Sequence, residues 1–275
     1  MLAEWIERLF STCPLPLREL GCLREMLGIR RRWRLHRTAW SAHCEATRRF
    51  LLHTLDRCPS KRKVVVLGSG WLHDVPLDEL AQRFQQVILV DVFHPWAVRW
   101  QARRHGHVTL VAGDVTGVLD QVWQAGYETL ASLPTPRPQV FTSTDDLDLT
   151  VSLNLLSQLP VMPEQYLLRS GYYTRAAVQT LCRNLVQAHL DLLAGLPGQV
   201  ALITDMEIRT LDATGQVVRA SPTLYGATLP WQGESWDWTL VPPRPAPPHH
   251  AEVLRVVAIN DRSPAVSRAP AVAPA

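Results

Sequence analysis

A pair of glycines followed by an acid is the feature of this chain whose spacing best suits chemistry. The apolar run Val64–Leu67 leads into Gly68, Ser69 and Gly70, and a second apolar run ends at Asp91. Glycines lack a Cβ and let the backbone turn sharply and approach a ligand closely. A carboxylate about 20 residues further on, at the end of the next strand, can accept both hydrogens of a ribose diol. The arrangement indicates an adenosine-bearing cofactor.

The position of the third glycine in a dinucleotide fingerprint decides against a nicotinamide cofactor. That fingerprint needs glycine or alanine at position 73, because a helix must begin there with its N-terminus facing a pyrophosphate. His73 stands there and Asp74 follows it. The pattern favours a cofactor without phosphates, whose amino acid end carries an ammonium group that Asp74 would hold. The alternative for Asp74 is ordinary capping of the next helix.

Two further polar residues follow predicted strands. Asp114 lies in "VAGDVTG", and Asn154 ends the run "TVSL". Ligands of open α/β sheets bind beyond the carboxyl ends of the strands, so both residues are binding candidates. Asp114 has a simpler alternative as a turn residue whose carboxylate bonds the backbone. Asp91 has one as the N-cap of the helix expected after Pro95.

The order of the elements predicts an α/β fold. Short β-branched runs alternate with helical stretches, which indicates a doubly wound, mostly parallel sheet. The five expected strands are Val64–Leu67, Val87–Val90, Val108–Ala112, Leu147–Leu153 and Gln199–Met206. A final pair, within Trp236–Asn260, has no room for a crossover helix and should form an antiparallel hairpin. The prediction is one seven-stranded sheet with an antiparallel terminal hairpin and an N-terminal helical segment.

The chain divides into three parts on the same grounds. Residues 1–57 are predicted as a helical cap, with helix breaks at Cys13–Pro16 and near Gly28. Residues 58–261 form the sheet domain, and 262–275 a disordered tail. The helical stripe Trp33, His36, Trp40, His43 and Thr47 has two interpretations. It packs against the sheet domain, or it is a lid over a ligand site.

Composition limits the remaining classes. The 275 residues are 47% hydrophobic and 19% charged, which suits a globular domain. No apolar run reaches the roughly 20 residues of a membrane helix, and the first residues carry acids, so a cytoplasmic protein is expected. A net charge of +3 is too small to indicate nucleic acid. The five cysteines form no C-x-x-C pair, and no metal site is predicted.

With these motifs in hand, residues 62–261 resemble the seven-stranded, Rossmann-like S-adenosylmethionine-dependent methyltransferases. Their acid-x-G-x-G-x-G motif is reduced here to "GSG", with Val66 and Leu72 in place of the acid and the last glycine. Asp91 matches their ribose-binding acid, Asp114 their adenine-side acid, and Asn154 ends the strand that carries their fourth motif. The resemblance implies S-adenosylmethionine as cofactor and methyl transfer to a small-molecule acceptor.

Methyl transfer to a hydroxyl or an ammonium also requires a base. The candidates, in order of preference, are His43, His36, His73 and Tyr172. The strand end "LNLLSQLP" is not N-P-P-F or D-P-P-Y, so DNA bases are not expected as acceptors. Two other functions stay open: a non-catalytic binding or scaffold protein that keeps the fold, and a nicotinamide-dependent reductase. The sequence names neither the acceptor nor the oligomeric state.

Overall fold

A computed structural model describes residues 13–243, 250–260 and 262. Within these residues the helices are α1 (Leu15–Leu20), α2 (Cys22–Leu35), α3 (Arg37–Arg57), α4 (Leu77–Arg83), α5 (Trp96–Ala102), α6 (Leu119–Ala125), α7 (Val161–Ser170) and α8 (Arg175–Gly195). The strands are β1 (Lys63–Leu67), β2 (Gln86–Asp91), β3 (Val108–Ala112), β4 (Leu147–Leu153), β5 (Gln199–Leu211), β6 (Val217–Pro222), β7 (Glu234–Val241) and β8 (Ala251–Ile259).

The strands form one sheet in the order β3-β2-β1-β4-β5-β8-β7. The pairs β1–β2, β2–β3, β1–β4 and β4–β5 are parallel, and β8 is antiparallel to both β5 and β7. The order therefore reverses between β1 and β4, which is where ligands bind in open sheets of this kind.

Helices cover both faces of the sheet, as a doubly wound fold requires. On one face, Val64 and Val66 pack with Phe50 and Leu55 of α3. On the other face, Val65 and Leu67 pack with Leu190 and other residues of α8. Every residue of β1 and β4 is buried, which explains the apolar run Val64–Leu67 in β1, whereas β4 also buries the polar residues Asp148, Thr150 and Ser152. The predicted α/β class is confirmed.

The predicted number of strands is too low by one. The terminal hairpin forms as expected from β7 and β8, but β5 continues past Met206 to Leu211 and pairs there with the additional strand β6. This extension is half-exposed and polar, and the exposed side of β6 carries no apolar alternation. The hydrophobic pattern therefore gave no signal for either segment.

The N-terminal helices differ from the prediction in one break. Helix α1 starts after Pro14 as expected, but α2 runs through Gly28 without interruption. The break lies instead at Gly21, whose left-handed φ of 97° closes α1, and at His36, which separates α2 from α3. Gly28 is tolerated because a single glycine weakens a helix without ending it.

Helix α3 links the sheet to the space above its carboxyl edge. Its second half lies in the core through Phe50, Leu51 and Leu55. Its first half extends beyond the core, where Trp40 packs edge-on against Trp238 of β7, with the ring centroids 4.9 Å apart. Of the predicted stripe, Trp33 lies on α2, and Trp40 and His43 on α3 line the cavity described below.

Beyond β8 the structure describes Asn260 and Arg262. The guanidinium of Arg262 donates hydrogen bonds to the carbonyl oxygens of Leu193, Leu196 and Gly198, at the end of α8 and the turn after it. Residues 263–275, which carry the rest of the predicted tail, lie outside the described residues, as do residues 1–12 of the predicted cap. None of the helices in the described ranges is long and apolar enough to cross a bilayer.

Candidate functional site

A cavity of about 530 Å³ lies at the carboxyl edge of the sheet, under α2 and the first half of α3. The loops after β1, β2 and β3 line one side with Gly68, Gly70, Asp91 and Asp114, which we call the glycine side. Strands β5 and β7 and helix α3 line the other, which we call the tryptophan side and which contains Trp40, His43, Asp205, Trp238 and Leu240. Asp74 and Asn154 line the cavity too, and Asn154 belongs to the loop after β4, between the two sides in the order of the sheet.

Glycine occupies the two positions of the first loop for different structural reasons. Gly68 has φ of +80°, and a Cβ there would lie 2.9 Å from both the Leu153 carbonyl oxygen and the Leu155 Cβ. Gly70 has φ of +51°, but a Cβ there would meet nothing within 4 Å. Gly68 is required by contact with the loop after β4, whereas Gly70 borders open space that a ligand can fill.

Asp91 is oriented by backbone donors. Its Oδ2 accepts a hydrogen bond from the Gly70 amide at 2.8 Å, and its Oδ1 accepts one from the Val92 amide at 2.8 Å. Burial raises the pKa of Asp91 to about 6, and the two amide bonds oppose that rise. Helix α5 starts after Pro95 without a side-chain cap, so Asp91 does not cap it. Its carboxylate keeps lone pairs for a ligand, since each oxygen accepts only one of these bonds.

Asp114 is engaged mainly by its own turn. Its Oδ1 accepts from the amide and the hydroxyl of Thr116, and its Oδ2 accepts from the Leu119 amide at 2.8 Å, which opens α6. This is the turn role that the sequence left open. Asp114 also lines the cavity, and a carboxylate has room for about one more donor beyond these three.

Asp74, Asn154 and His43 meet above the ends of β1 and β4. The Asn154 amide donates through Nδ2 to Asp74 Oδ2 at 2.7 Å, and Nε2 of His43 lies 3.8 Å from the same oxygen and 3.3 Å from that nitrogen. Asn154 has a left-handed φ of 47°, and its amide N–H donates to the Ile203 carbonyl, so the backbone holds it at this edge. Asp74 therefore contacts the strand-end residue directly and does not cap α4.

Trp236 of β7 determines how His43 can act. The indole Nε1 donates to Nδ1 of His43 at 3.1 Å. Two donor-only nitrogens approach the ring, and the Trp236 indole is closer to Nδ1 (3.1 Å) than the Asn154 Nδ2 is to Nε2 (3.3 Å), so we assign the lone pair to Nδ1 and the proton to Nε2. His43 is 2% exposed, and Trp238 stacks on it with centroids 3.9 Å apart. His43 thus presents an N–H to Asp74, and its lone pair is already used by Trp236.

Asp205 lies in the middle of β5, just beyond the part of that strand that pairs with β4, and is a second acid near His43. It is 3% exposed, it lines the cavity, and Ser157 donates its hydroxyl to Oδ1 at 2.6 Å. Burial raises the pKa of Asp205, while Ser157, Thr223 and the charge interaction with His43 lower it. Among the described residues, no arginine or lysine forms an ion pair with it.

Five buried polar atoms of residues that line the cavity have no hydrogen-bond partner: Arg32 Nε, Ser69 Oγ, His73 Nε2, Asn154 Oδ1 and Trp238 Nε1. Buried polar atoms of folded proteins are nearly always satisfied by protein, water or ligand. The asparagine acceptor, the serine hydroxyl and the ring and guanidinium nitrogens are therefore open to a ligand along the cavity.

His73 fixes the glycine loop to α2. Its ring stacks on Trp33 with centroids 4.0 Å apart, and the neighbouring Trp71 donates Nε1 to the Met26 carbonyl at 2.8 Å. Burial lowers the pKa of His73 to about 4. His73 lines the cavity, but a group with this pKa is a weak base, and its ring is held between helix and loop.

Two of the predicted catalytic residues do not line the cavity. His36 is at the junction of α2 and α3 on the outer side of the stripe, and the Tyr172 side chain is 49% exposed in the turn before α8. Tyr172 is a candidate in the sequence because it precedes a long helix. Helix α7, which the sequence pattern does not reveal, separates this turn from the end of β4. Neither residue can touch a ligand in the cavity in this conformation.

Sequence reasoning missed Trp236, Trp238 and Asp205. The two tryptophans alternate along β7, so both point to one face of the strand, and "WDW" carries that signal. Nothing in the sequence indicates that this face meets α3, because Trp236 and His43 lie 193 positions apart. Asp205 follows an apolar run, as Asp91 does, and the same strand-end argument would have found it. No cluster of three or more metal-binding side chains occurs in the described part of the chain.

The residues of the glycine side fit an adenosyl amino acid cofactor. Gly70 leaves open space, Asp91 offers a carboxylate to a diol, and Asn154 Oδ1 is a buried acceptor without a donor. The site differs from a dinucleotide site in one respect. Helix α4 begins only at Leu77, so no helix N-terminus faces the glycine loop to bind a pyrophosphate.

The strand order, with β8 inserted antiparallel between β5 and β7, is the doubly wound, Rossmann-like arrangement that the sequence predicts. No protein-family model and no curated protein matches the chain. Solved structures similar to it include the N-methyltransferase NodS from Bradyrhizobium japonicum WM9, at 15% identity and a TM-score of 0.34 over 78% of this chain and 94% of that one. Another is the 1,6-didemethyltoxoflavin-N1-methyltransferase of Burkholderia thailandensis, at 13% identity and a TM-score of 0.36 over 78% and 79%. The fold assignment rests on the strand pairing of this chain, and the function is argued from its site.

Proposed function

We propose that this protein transfers a methyl group from S-adenosylmethionine to a small-molecule acceptor. The observation that carries the proposal is that one cavity, at the strand-order reversal, is lined by the glycine loop, Asp91 and the strand-end Asn154 and is covered by helices. An adenosine cofactor and a second ligand could occupy its two sides together.

On the glycine side, four groups would hold the cofactor. The backbone of Gly68–Gly70 would lie against it, Asp91 would accept the ribose hydroxyls, and Asp114 would face the adenine. The amino acid end would lie toward Asn154, whose Oδ1 accepts no bond from the protein. When bound, S-adenosylmethionine supplies an electrophilic methyl group on a sulfonium.

Asp74 and the residues around it would remove a proton from the acceptor. Asp74 Oδ2 receives the Asn154 amide and faces the His43 N–H, so the carboxylate is fixed in place and is the proton acceptor we favour. His43 would act as a positioning donor to Asp74, because its lone pair is bound to Trp236. The roof formed by α2 and α3 would exclude water, which aligns the acceptor with the methyl group.

Calorimetry with three ligands tests the proposal. S-adenosylmethionine and S-adenosylhomocysteine should each bind with micromolar or tighter affinity, and NAD should give no binding. Asp91→Asn should weaken both adenosyl ligands, and Asp120→Asn, an exposed acid in the first turn of α6, should leave them unchanged. Binding of NAD, or no binding of either adenosyl ligand, would contradict the proposal. Tight binding without turnover for any acceptor would favour the non-catalytic alternative.

A further inference from the structure

We propose that the tryptophan side of the cavity is built to bind a protonated amine, and that amines are the methyl acceptors. This rests on the proposed function. The argument starts from Asp205, which is almost fully buried, lines the cavity and has Ser157 as its side-chain donor. A buried carboxylate without a cation is unfavourable by several kcal/mol, roughly, in real proteins. A cationic ligand would remove that penalty.

A second acid faces the same ring. Asp74 Oδ2 lies 3.8 Å from His43 Nε2, and Asp205 lines the same cavity. The imidazole is neutral when it accepts the indole hydrogen of Trp236, so it does not neutralise either acid. Both carboxylates line the cavity, and an uncharged His43 does not offset their charge.

The charged side chains that line the cavity are mostly acidic. Its acids are Glu25, Asp74, Asp91, Asp114, Asp205 and Glu252, and its one arginine is Arg32. That arginine is used by Glu25, with Nη2 2.5 Å from Oε1. No lysine lines the cavity. A ligand that brings its own positive charge complements this surface, and an anionic ligand would be repelled by it.

Aromatic faces supply the second half of the recognition. Trp40 and Trp238 meet at right angles, His43 covers one face of Trp238, and both indoles line the cavity together with Asp205. Tryptophan rings attract ammonium groups more strongly than other aromatic rings do, above all where water is excluded. The combination of buried acids and indole faces selects an ammonium over a hydroxyl of the same shape.

The same arrangement accounts for the proton. An amine is nucleophilic only after losing one proton, and Asp74 accepts that proton from the ammonium. The freed lone pair of the nitrogen then forms the bond to the methyl carbon, the carbon–sulfur bond breaks with its electron pair left on sulfur, and the proton on Asp74 leaves to water. No other reactant is needed for the balance.

A neutral acceptor is the competing possibility. If Asp205 is protonated in its buried setting, it would donate a hydrogen bond to a hydroxyl or carbonyl oxygen. The two cases differ in how binding responds to the charge of the ligand, so matched pairs of probes separate them.

The probes are benzylamine against benzyl alcohol and hexylamine against hexanol, titrated near neutral pH while tryptophan fluorescence is followed. Each amine should bind at least about tenfold more tightly than its alcohol, a difference of about 1.4 kcal/mol. Asp205→Asn keeps the acceptor for Ser157 but removes the charge, and it should reduce the preference to about twofold or less. Glu234→Gln, an exposed acid at the start of β7, is the matched control and should keep it.

The titrations are made with and without S-adenosylhomocysteine, whose own affinity is measured by calorimetry. Failure of that ligand to bind would refute the proposed function, whereas the amine preference is still measured in its absence. Alcohols that bind as well as amines, a preference that survives Asp205→Asn, or no binding of either amine would each overturn the amine site. Unchanged S-adenosylhomocysteine affinity in Asp205→Asn shows that the variant is folded.

Discussion

The glycine side and the tryptophan side of the cavity are built by different means. On the glycine side, backbone amides orient the acidic side chains: those of Gly70 and Val92 orient Asp91, and that of Leu119 orients Asp114. On the tryptophan side, side chains hold side chains, as Trp236 holds His43 and Ser157 holds Asp205. Backbone contacts fix one shape whatever the neighbouring side chains are. The glycine side therefore suits a constant cofactor, and the tryptophan side is where the identity of the acceptor is determined.

The largest expected effect separates the two glycines. Gly68→Ala should lower the free energy of unfolding by about 3 kcal/mol, since the added Cβ meets Leu153 and Leu155 at a left-handed φ. Gly70→Ala should lower it by only about 1 kcal/mol, because the φ strain is the sole penalty. Urea denaturation measures both values. Equal losses would show that the Gly68 loop does not depend on the contact with the loop after β4.

The next effect concerns the acid of the glycine side. Asp91→Ala should weaken binding of S-adenosylhomocysteine by about 2 kcal/mol, through loss of charge-assisted bonds to the ribose. Calorimetry gives the affinity, with Asp120→Ala as the control for loss of an exposed acid. The amine preference of the tryptophan side should be unchanged in Asp91→Ala. Unchanged cofactor affinity would remove Asp91 from the site.

The pKa of Asp91 gives the glycine side its own pH dependence. Burial raises the pKa of Asp91 from 3.8 to about 6 in the folded protein. Between about pH 6 and pH 4 the folded state therefore binds a proton more strongly than the unfolded state does, and the free energy of unfolding rises as the pH falls through this range. Ribose binding needs the ionised form. Affinity for S-adenosylhomocysteine should therefore drop about tenfold between pH 7 and pH 5. Asp91→Asn should flatten this profile, and a steep profile in that variant would assign the titration to another group.

The smallest effect is expected at His43. His43→Ala should lower the rate of S-adenosylhomocysteine release with benzylamine by about fivefold, because the His43 ring, 3.8 Å from Asp74 Oδ2, helps to position that carboxylate. Trp236→Phe keeps a ring but removes the indole donor, so it should lower the rate less. Cofactor affinity should stay constant in both. A larger loss of affinity than of turnover would place His43 in the cofactor site.

Sequence alone predicts the glycine side better than the tryptophan side, for a physical reason. Gly68, Gly70 and Asp91 follow strand ends within one βαβ unit, so local spacing already places them together. The tryptophan side depends on how α3 and β7 pack, and no local pattern encodes a contact between positions 43 and 236. The lid interpretation of the stripe Trp33–Thr47 places His43 over a ligand site, and His43 lines the cavity. The hydrogen bond that occupies its lone pair could not be foreseen.

The central strands are predictable from the sequence, whereas the extension of β5 and the strand β6 are not. Burial on both faces gives β1 and β2 apolar runs that the sequence shows directly, Val64–Leu67 and Val87–Val90. The extension of β5 and the strand β6 gain their partners from backbone hydrogen bonds at an exposed edge, which leave no mark in hydrophobicity.

The continuity of α3 ties ligand choice to folding. One helix carries Trp40 and His43 over the cavity and Phe50 and Leu55 into the core, with no loop between them. The roof cannot be exchanged for another as a loop or a separate domain can, since any insertion in α3 would shift the register of residues that hold the sheet. Divergence toward new acceptors in such a protein would proceed by replacing side chains on a fixed helix. Each such replacement would be judged by its effect on the core as well as on the ligand.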